Sequence, residues 1–507
     1  MQICLIKPPI LHKGTSFALM PTPPLGLAYI AAVIEKLTKN IQVIDASACP
    51  VDKCEKFYKD IYLFGLNSHE IIHQIQGKPD VICIALMFTN NWLHDRKLIH
   101  TLKENFPKAI LIAGGEHATA APELCLKQSP LDYVVFGEGE EVIYDLISAL
   151  IQKKSTKEIA GLAYSINDNV LITNKRKRTK NIEDLPWPAW NLFPLESYFN
   201  NKMSHGIYRG RTLPVMATRG CPYDCTFCSS PQMWGRNYYM RSPKDFVDEL
   251  EFLNQKYKVI NFDLFDLTAI IVKKWILETC EEINNRKLQI TFQLPSGTRA
   301  EAIDFEVATA LKKAGCSNIT YAPESGSKKV LKKIKKKVEL NKMLDSIKQS
   351  NQAGINVHLN MIIGFPEDTH KDILQTLWFL VKCSWKGAND MAMAVFTPYP
   401  GSEMFIELNR QGKLNLFDDQ TLIEIIESYD LWPSKVYSQK INPFIIKLYV
   451  LLALVVFYAS NYFFRPFRFF RTIKNLLFNK HESRLEQILF KNFFRNFFLL
   501  KKRNYVK

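Results

Sequence analysis

Three cysteines stand closer together than any others in the sequence. Cys221, Cys225 and Cys228 follow the spacing C-x3-C-x2-C within CPYDCTFC. Gly220 and Pro222 oppose regular secondary structure, so we expect the thiols to lie on a loop. A tetrahedral zinc site would need a fourth cysteine or a histidine nearby, which the next several residues do not provide. Three thiolates better suit a [4Fe–4S] cluster with one iron open to a small chelating ligand.

The composition is that of a globular protein in a reducing compartment. The chain has 507 residues, a length that suffices for about three domains. Of these residues 47% are hydrophobic and 23% are charged, as in ordinary globular proteins. Its first ten residues, MQICLIKPPI, lack the pattern of a signal peptide, so we expect a cytoplasmic protein. Clustered cysteines there are more often metal ligands than disulfides. The net charge of +16 favours an acidic partner such as nucleic acid, anionic lipid or an acidic substrate.

Residues 1–150 alternate short apolar strands with amphipathic helices. This alternation predicts an α/β fold with a Rossmann-like open parallel sheet, helices on both faces and a ligand at the C-terminal ends of the strands. The predicted strands are QICLIKPP, IQVIDAS, PDVICIALMF, AILIAGGEH and LDYVVFGEGEE.

A proline-rich linker over residues 151–210 separates this domain from a second one. Six further strand–helix repeats over residues 211–410 predict a partial (β/α)6 TIM barrel. Residues 411–507 change character and predict a helical, basic C-terminal region.

The cysteine motif CPYDCTFC resembles the signature of radical S-adenosylmethionine (SAM) enzymes. The similarity continues in YAPESGS (321–327) and NMIIGFPE (360–367) and covers roughly residues 213–405. Where the family carries a contact to the SAM amino group after the second strand, this sequence reads FDLFDLT. The resemblance implies that SAM is contacted by Phe227, Asp266, Glu324, Ser325, Ile362, Gly364 and Glu367.

Three segments of the first domain together resemble the cobalamin-binding domain found in front of one class of radical SAM enzymes. They are PTPPLGLAYIAAVIE (21–35), AGGEHATAAPE (113–123) and FGEGEE (136–141). Some cobalamin domains carry D-x-H-x-x-G, but Asp45 is followed by Ala46 and Ser47, so no histidine is predicted below the cobalt. A relic domain that no longer binds cobalamin is the alternative. The implied cobalamin contacts are Thr89, Gly114, Gly115 and His117, the histidine in a supporting role rather than as a cobalt ligand.

The combined resemblance is to the group with the anaerobic magnesium-protoporphyrin ester cyclase and the hopanoid-modifying enzymes. It implies a cluster, SAM, cobalamin and a reductant such as flavodoxin or ferredoxin. The implied reaction is methyl transfer to an unactivated carbon of a hydrophobic substrate, driven by a 5′-deoxyadenosyl radical. Radical cyclisation, oxidation or rearrangement is the alternative. A cobalamin sensor and a methylthiotransferase, with a second cluster on Cys4, Cys49 and Cys83, are less favoured, and no nucleic acid is expected.

The C-terminal region combines an apolar run with a strongly basic tail. The run within PFIIKLYVLLALVVFYASNYFF counts about 16 residues against the ~20 that a membrane-spanning helix needs. Residues 465–507 then hold twelve Lys or Arg and two Glu, interleaved with Phe. This composition predicts peripheral contact with the inner face of the membrane, with a core helix or a true span as alternatives. The lysine-rich run KKVLKKIKKKVELNK (328–342) predicts a solvated helix face without a role in the site.

Overall fold

The computed structural model describes residues 1–14, 21–428, 433 and 435–490. The chain divides into two compact units. The first unit contains Met1–Met203, Thr218–Ser242 and Thr397–Lys435. The second contains Ser204–Ala217, Pro243–Phe396 and Val436–Lys507. The domain boundaries drawn from the sequence stay a prediction.

The first unit is built on a seven-stranded sheet with the order β10-β9-β8-β7-β6-β1-β3. The five strands predicted from the sequence are parallel neighbours in the order 2-1-3-4-5, the order of flavodoxin-like folds. The predicted open parallel sheet is therefore confirmed. The strands are β1 (Ile3–Lys7), β2 (Ile10–Lys13), β3 (Ile41–Asp45), β4 (Cys54–Tyr58), β5 (Ile61–Phe64), β6 (Val81–Ala85), β7 (Ile110–Gly114), β8 (Tyr133–Val135), β9 (Leu162–Ile166) and β10 (Asn169–Ile172).

Two features of this unit were missed in the sequence. Strands β2, β5 and β4 form a separate antiparallel sheet, whose β4 is mostly exposed and lacks an apolar alternation. The predicted linker contains the hairpin β9–β10, which extends the main sheet antiparallel to β8. Its turn places Asn167 and Asp168 at φ +48° and +63°, as hairpin turns with two positive φ angles require.

Short helices cover the first sheet and connect its strands. α1 is almost entirely buried, which agrees with its nearly continuous apolar sequence. The helices of the first unit up to Ser242 are α1 (Leu25–Ile34), α2 (Ser68–Gln74), α3 (Trp92–Asn105), α4 (Glu116–Ala120), α5 (Pro122–Gln128), α6 (Gly139–Ile151), α7 (Leu195–Asn200) and α8 (Ser230–Trp234).

The second unit is built on six parallel strands paired in chain order, β11-β14-β15-β16-β17-β18. Among the described residues no pairing joins the first of these strands to the last, so the predicted partial barrel is confirmed. The intervening strands β12 and β13 pair with each other in the first unit. The bounds are β11 (Thr212–Val215), β12 (Thr218–Arg219), β13 (Tyr239–Met240), β14 (Asn261–Leu264), β15 (Thr291–Thr298), β16 (Cys316–Glu324), β17 (Asn356–Ile363) and β18 (Asp390–Val395).

Helices follow the barrel strands and continue beyond them. Thr369 and Asp372 form a capping box that begins α14, and Gly387 in the left-handed region ends it. The remaining helices are α9 (Pro243–Tyr257), α10 (Lys273–Asn285), α11 (Phe305–Lys313), α12 (Lys328–Lys333), α13 (Leu340–Gln352), α14 (His370–Lys386), α15 (Glu403–Arg410), α16 (Asp419–Glu427), α17 (Pro443–Phe464) and α18 (Pro466–Leu477). Of these, α15 and α16 belong to the first unit.

Helix α17 is longer than the apolar run counted in the sequence. It has 22 residues, begins at Pro443 and is the one described helix long and apolar enough to cross a membrane. Only one face is buried: Ile446, Val450, Ala453 and Phe457 are at most 1% exposed. Their spacing of three and four residues forms a single helical stripe, which packs toward α14 and β18.

Candidate functional site

The three cysteines of the motif lie on the loop between β12 and β13, in the first unit. These two strands pair antiparallel through Thr218–Met240 and Arg219–Tyr239, so they close the base of the loop. Within the loop the Cys228 N–H donates to the Cys225 carbonyl at 3.1 Å. All three thiols are partly buried, whereas seven of the other eight cysteines are buried and Cys54 is exposed. The three motif cysteines are thus less buried as residues than the cysteines packed in the core.

The donor set suits an iron–sulfur cluster, although the thiols are not gathered around a common point. In the described part of the chain, no group of three or more His, Cys, Asp or Glu side chains is arranged as a metal cage. Burial raises the pKa of Cys228, while hydrogen bonds involving Ser230 oppose that shift. Three soft thiolates on one loop match the ligand chemistry of iron–sulfur clusters. Phe227, predicted to pack near the adenine of SAM, lies between two of them and is partly buried.

Buried ion pairs hold the residue at the start of this loop. The side chain of Arg219 is 2% exposed, and its Nη2 donates to Glu140 Oε1 at 2.5 Å. Its Nη1 lies 3.6 Å from Glu138 Oε1. Arg178 donates to the same Glu138 oxygen at 3.1 Å and to the Asn237 carbonyl at 2.7 Å. The acidic pair belongs to FGEGEE, so the cysteine loop is tied to the end of β8.

A second contact ties the loop to α4. Glu116, which directly follows the two glycines of the AGGEHAT segment, accepts a hydrogen bond from the Ser229 hydroxyl. Ser229 directly follows Cys228, and α4 packs against α8. Sequence reasoning missed this contact, because no residue pattern links Glu116 to a loop more than a hundred residues away.

The predicted cobalamin contacts converge at the C-terminal ends of two neighbouring strands. Strands β6 and β7 pair in register at Ala85 and Gly114. Thr89 follows β6, His117 follows β7, and Thr89 Oγ1 lies 3.0 Å from His117 Nδ1. His117 is 2% exposed, and its Nε2 has no hydrogen-bond partner among the described residues. Burial lowers the pKa of His117 to about 4, so the ring is neutral at pH 7.

Gly115 occupies a position that no larger residue could fill. Its φ is +121°, and an added Cβ would lie 2.5 Å from the Leu86 carbonyl oxygen. The same carbonyl accepts the N–H of His117 at 3.1 Å. The double glycine therefore lets α4 begin directly against the end of β6, and Gly114 is the last residue of β7.

The end of β3, where other cobalamin domains carry the histidine loop, is closed by internal contacts. Asp45 is buried and lies 3.6 Å from the Lys7 ammonium. The Tyr198 hydroxyl donates to Asp45 at 2.7 Å, and the Ser47 N–H donates at 3.1 Å. These contacts give Asp45 a structural role. The absence of a histidine ligand below the cobalt stays a prediction.

In the second unit, four of the predicted SAM contacts come together at the ends of two adjacent strands. Glu324 is the last residue of β16 and Ser325 follows it. Ile362 is the penultimate residue of β17, which pairs with β16 in parallel, and Gly364 directly follows β17. Gly364 has φ +83°, and its N–H donates to Asp368 Oδ2 at 2.9 Å. This edge is where α/β barrels bind their ligands.

Glu324 has an uncommon backbone conformation and a side-chain partner that the sequence did not reveal. It has φ +65°, uncommon for a residue other than glycine, and is 5% exposed. Burial raises the pKa of its carboxyl group, and the Lys336 ammonium opposes that shift at 2.9 Å. Lys336 belongs to the lysine-rich run predicted to be a solvated face. For this one lysine the prediction was wrong, because the chain turns back after α12 and buries it.

The two remaining predicted SAM contacts lie apart from this group. Asp266 follows β14, two strands away from β16, and is 1% exposed. It accepts the Ala217 N–H at 3.3 Å. Glu367 is exposed and forms an ion pair with Lys333 on α12. Glu367 is therefore the predicted SAM residue with the weakest geometric support.

The alternative second cluster has no support in the geometry. Cys4 and Cys83 are buried in β1 and β6, and Cys49 is buried as well. Burial raises the pKa of Cys4 to about 12 and that of Cys83 further still. Such thiols behave as small apolar side chains rather than as ligands.

Comparison with known proteins agrees with both halves of the fold. Residues 215–380 match the radical SAM superfamily, and residues 18–147 match the B12-binding domain. An uncharacterized methyltransferase of Pyrococcus horikoshii is 28% identical and aligns over 80% of this chain and 82% of its own length. The anaerobic magnesium-protoporphyrin IX monomethyl ester cyclase of Rubrivivax gelatinosus is also 28% identical, over 82% of this chain and 71% of its own.

A solved structure shares the fold. It is the radical S-adenosylmethionine methyltransferase TsrM from Kitasatospora setae, determined with cobalamin and a [4Fe–4S] cluster bound. It superposes with a TM-score of 0.63 over 81% of this chain and 78% of its own, at 17% identity. The predicted set of cofactors, a [4Fe–4S] cluster, SAM and cobalamin, is confirmed by the two domains that the chain contains. The chain belongs to the radical SAM enzymes that carry an N-terminal B12-binding domain.

Proposed function

We propose that this enzyme transfers a methyl group to an unactivated carbon of a hydrophobic small molecule. The observation that carries the proposal is the contact between Glu116 and Ser229, within one compact unit. It joins the start of α4, directly after the double glycine where cobalamin contacts are predicted, to the loop of the three cysteines. Methyl transfer needs a methyl carrier close to the centre that generates the radical, and this contact supports such proximity. The methyltransferase relative supports the same chemistry.

Each group of residues has a distinct task in this proposal. Together the three cofactors supply a 5′-deoxyadenosyl radical and a transferable methyl group. Cys221, Cys225 and Cys228 hold the cluster and leave one coordination position for SAM. Glu324, Ser325, Ile362 and Gly364 line the edge of the barrel where SAM would lie. The carboxylate of Glu324, with Lys336 against it, offers an acceptor for ribose or amino hydrogens.

The cobalamin residues act through shape and a neutral imidazole. The backbone of Gly115 provides a side-chain-free surface where β7 ends. Thr89 and His117 form a neutral pair that can hydrogen-bond a polar group without adding charge. His117 Nε2 is buried without a hydrogen-bond partner among the described residues, which is unfavourable. A polar group of the cofactor that reached this atom would supply the missing hydrogen bond.

Cyclisation, oxidation or rearrangement without methyl transfer is the second candidate, supported by the cyclase relative. Isotope labelling separates the two. The reduced holoenzyme would be incubated anaerobically with lipid extract and SAM labelled with deuterium in its methyl group. A product carrying the label is expected. Formation of 5′-deoxyadenosine together with an altered but unlabelled product would favour the second candidate.

The cysteine assignment has its own test. A triple Cys→Ala variant at positions 221, 225 and 228 should retain cobalamin but hold no cluster and produce no 5′-deoxyadenosine. Anaerobic iron and sulfide analysis measures this directly. About four irons per chain in the variant would show that the ligands lie elsewhere.

A hydrophobic substrate and membrane contact are supported by an exposed apolar surface on the second unit. On α14, Leu374, Trp378 and Trp385 are 53%, 60% and 63% exposed. Lys382 and Lys386 lie over the two tryptophan rings, an arrangement suited to the headgroup region of a bilayer. We use the term apolar face for these exposed residues of α14 together with those of α17, of α18 and of the adjoining Phe478: Leu374, Trp378, Trp385, Phe444, Leu448, Leu452, Val455, Phe463, Phe467, Phe470, Leu477 and Phe478.

Polar contacts on the opposite side of α17 favour surface attachment over a span. Asn461 Nδ2 donates to the Ala388 carbonyl at 2.5 Å, and Ser384 Oγ donates to the Phe457 carbonyl at 3.1 Å. Arg465 donates to the Ser384 carbonyl at 2.5 Å. A helix tied to the protein along one face offers only its other face to lipid. Attachment at the inner leaflet would bring the enzyme to an apolar substrate, and a small electron carrier would supply the reducing electron.

A further inference from the structure

Four buried charged side chains connect the B12-binding domain to the cysteine loop, and they have no assigned role. They are Arg219, Arg178, Glu138 and Glu140, which we term the clamp. Their side chains are 2%, 8%, 9% and 10% exposed. All four belong to the first unit.

The clamp is a built arrangement rather than a chance surface pairing. Burial of a charge is unfavourable unless partners compensate it, and removal of one partner leaves the other charge buried and unpaired. The guanidinium of Arg219 also lies over the rings of Tyr29 at 5.4 Å and Trp234 at 5.5 Å. Two aromatic faces and two carboxylates therefore fix its direction.

A short and sterically constrained backbone segment connects Arg219 to the first cysteine of the motif. Only Gly220 separates Arg219 from Cys221. Its φ is +92°, and an added Cβ would lie 2.1 Å from the Asn237 carbonyl oxygen, on the returning side of the loop. Arg178 donates to that same carbonyl. The clamp thus holds both ends of the cysteine loop, while Glu116 holds its middle through Ser229.

We infer that the B12-binding domain positions the cysteine loop through this clamp, and that Arg219 and Glu140 are positioning residues for the iron–sulfur cluster. The inference rests on the assignment of the three cysteines as cluster ligands in the proposed function. A loosened clamp would let Cys221 move relative to Cys228, so the cluster would lose iron more readily and its open iron would bind SAM less uniformly. The cobalamin contacts at β6 and β7 would be unaffected.

The test compares Glu140→Gln, Arg219→Lys and a matched control in reconstituted, anaerobic holoenzyme. Glu141→Gln is the control, because Glu141 lies beside Glu140 in the first turn of α6 but pairs with Arg176 and Thr179 instead. The readouts are the rate of iron loss to a chelator, the electron paramagnetic resonance spectrum of the reduced cluster with and without SAM, and cobalamin content by absorbance.

We expect Glu140→Gln to lose iron roughly tenfold faster at unchanged cobalamin content, because the variant replaces a charge-assisted hydrogen bond to the buried guanidinium of Arg219 with a weaker neutral one. Its SAM-dependent spectral change should broaden. Arg219→Lys should lose iron at an intermediate rate, since lysine keeps the positive charge but lacks the planar guanidinium that donates several hydrogen bonds. Glu141→Gln should match the wild type.

Two results would overturn the inference. One is iron loss and spectra in Glu140→Gln that equal those of the control. The other is a joint loss of cobalamin and cluster, which would mean that the clamp only supports folding. Absence of a cluster in the wild-type protein would instead refute the cysteine assignment itself, so the two failures are distinguishable.

Discussion

Lys336 shows how the role of a residue depends on where the chain turns after a helix. In the sequence it is one of many lysines in a basic run, yet its side chain is 14% exposed and pairs with a buried carboxylate at the edge of the barrel. Lys332, four residues earlier, is exposed. The exposure of the other lysines in this run was predicted well, but Lys336 could not be singled out from the sequence.

Replacing Lys336 by Gln should weaken SAM binding about tenfold. The variant leaves Glu324 buried without a cation, and a lost hydrogen bond to a charged group costs about 1.5–3 kcal/mol. Anaerobic equilibrium binding of SAM to the cluster-loaded protein measures the change. Lys332→Gln is the matched control and should bind SAM as the wild type does. Equal affinity in both variants would remove Lys336 from the site.

The cobalt should have no nitrogen ligand from below. The Asp45 carboxylate already contacts Lys7, Tyr198 and Ser47, and the position two residues after it, where some cobalamin domains carry the histidine, is Ser47. We therefore expect the Co(II) form to give an electron paramagnetic resonance spectrum without nitrogen superhyperfine splitting. A three-line pattern that disappears in His117→Gln would contradict this and make His117 the ligand.

At the scale of elements, the sequence predicted what strong periodicity encodes. The buried strands β1, β6 and β7 were located correctly, and the number of barrel strands was predicted correctly, because continuous apolar runs between loops have few other solutions. The hairpin β9–β10 was missed because its residues are half exposed and its turn signal, Asn167-Asp168, stands within a polar stretch. The clamp was missed for a different reason: pairs such as Arg219 and Glu140 are distant in sequence, and periodicity carries no information about them.

Helix α17 should respond very differently to changes on its two faces. Phe457 is fully buried, so Phe457→Ala should lower the free energy of unfolding of the second unit by about 3–5 kcal/mol. Val455 is 63% exposed, so Val455→Ala should stay within about 0.5 kcal/mol of the wild type. Urea unfolding of the apoprotein measures both. Equal effects would mean that the helix is not docked along the stripe described above.

At the scale of the whole molecule, the excess of positive charge is concentrated near the end of the chain. Residues 465–507 contain twelve Lys or Arg and two Glu, against a net charge of +16 for all 507 residues. The part of this segment in residues 491–507 lies outside the described residues. The described part includes α18, where Arg471 and Lys474 accompany exposed Phe467 and Phe470.

The full-length protein should bind anionic vesicles and release them as salt is raised. Each basic residue near an anionic surface contributes about 1 kcal/mol, and this attraction is screened within ~8 Å at physiological ionic strength. The measurement is co-sedimentation with phosphatidylglycerol vesicles and with neutral phosphatidylcholine vesicles. Sedimentation that resists both salt and carbonate would mean that α17 spans the bilayer.

Surface variants test this better than removal of the C-terminal region. A truncation at Ser438 would delete the stripe of α17 and two contacts to the buried Asp390, from the Tyr458 hydroxyl at 2.5 Å and the Arg484 N–H at 2.6 Å. The double variant Trp378→Gln, Trp385→Gln keeps these contacts and removes only exposed rings. We expect it to sediment severalfold less than the wild type, because Gln buries much less apolar surface in the bilayer interface than Trp does.

Ile406→Gln, at a 45% exposed position of α15 in the other unit, is the control and should sediment normally. If the double variant binds vesicles as the control does, α14 does not contribute to membrane binding. If neither the wild type nor the control sediments, the apolar face does not bind lipid and a soluble substrate becomes the better hypothesis.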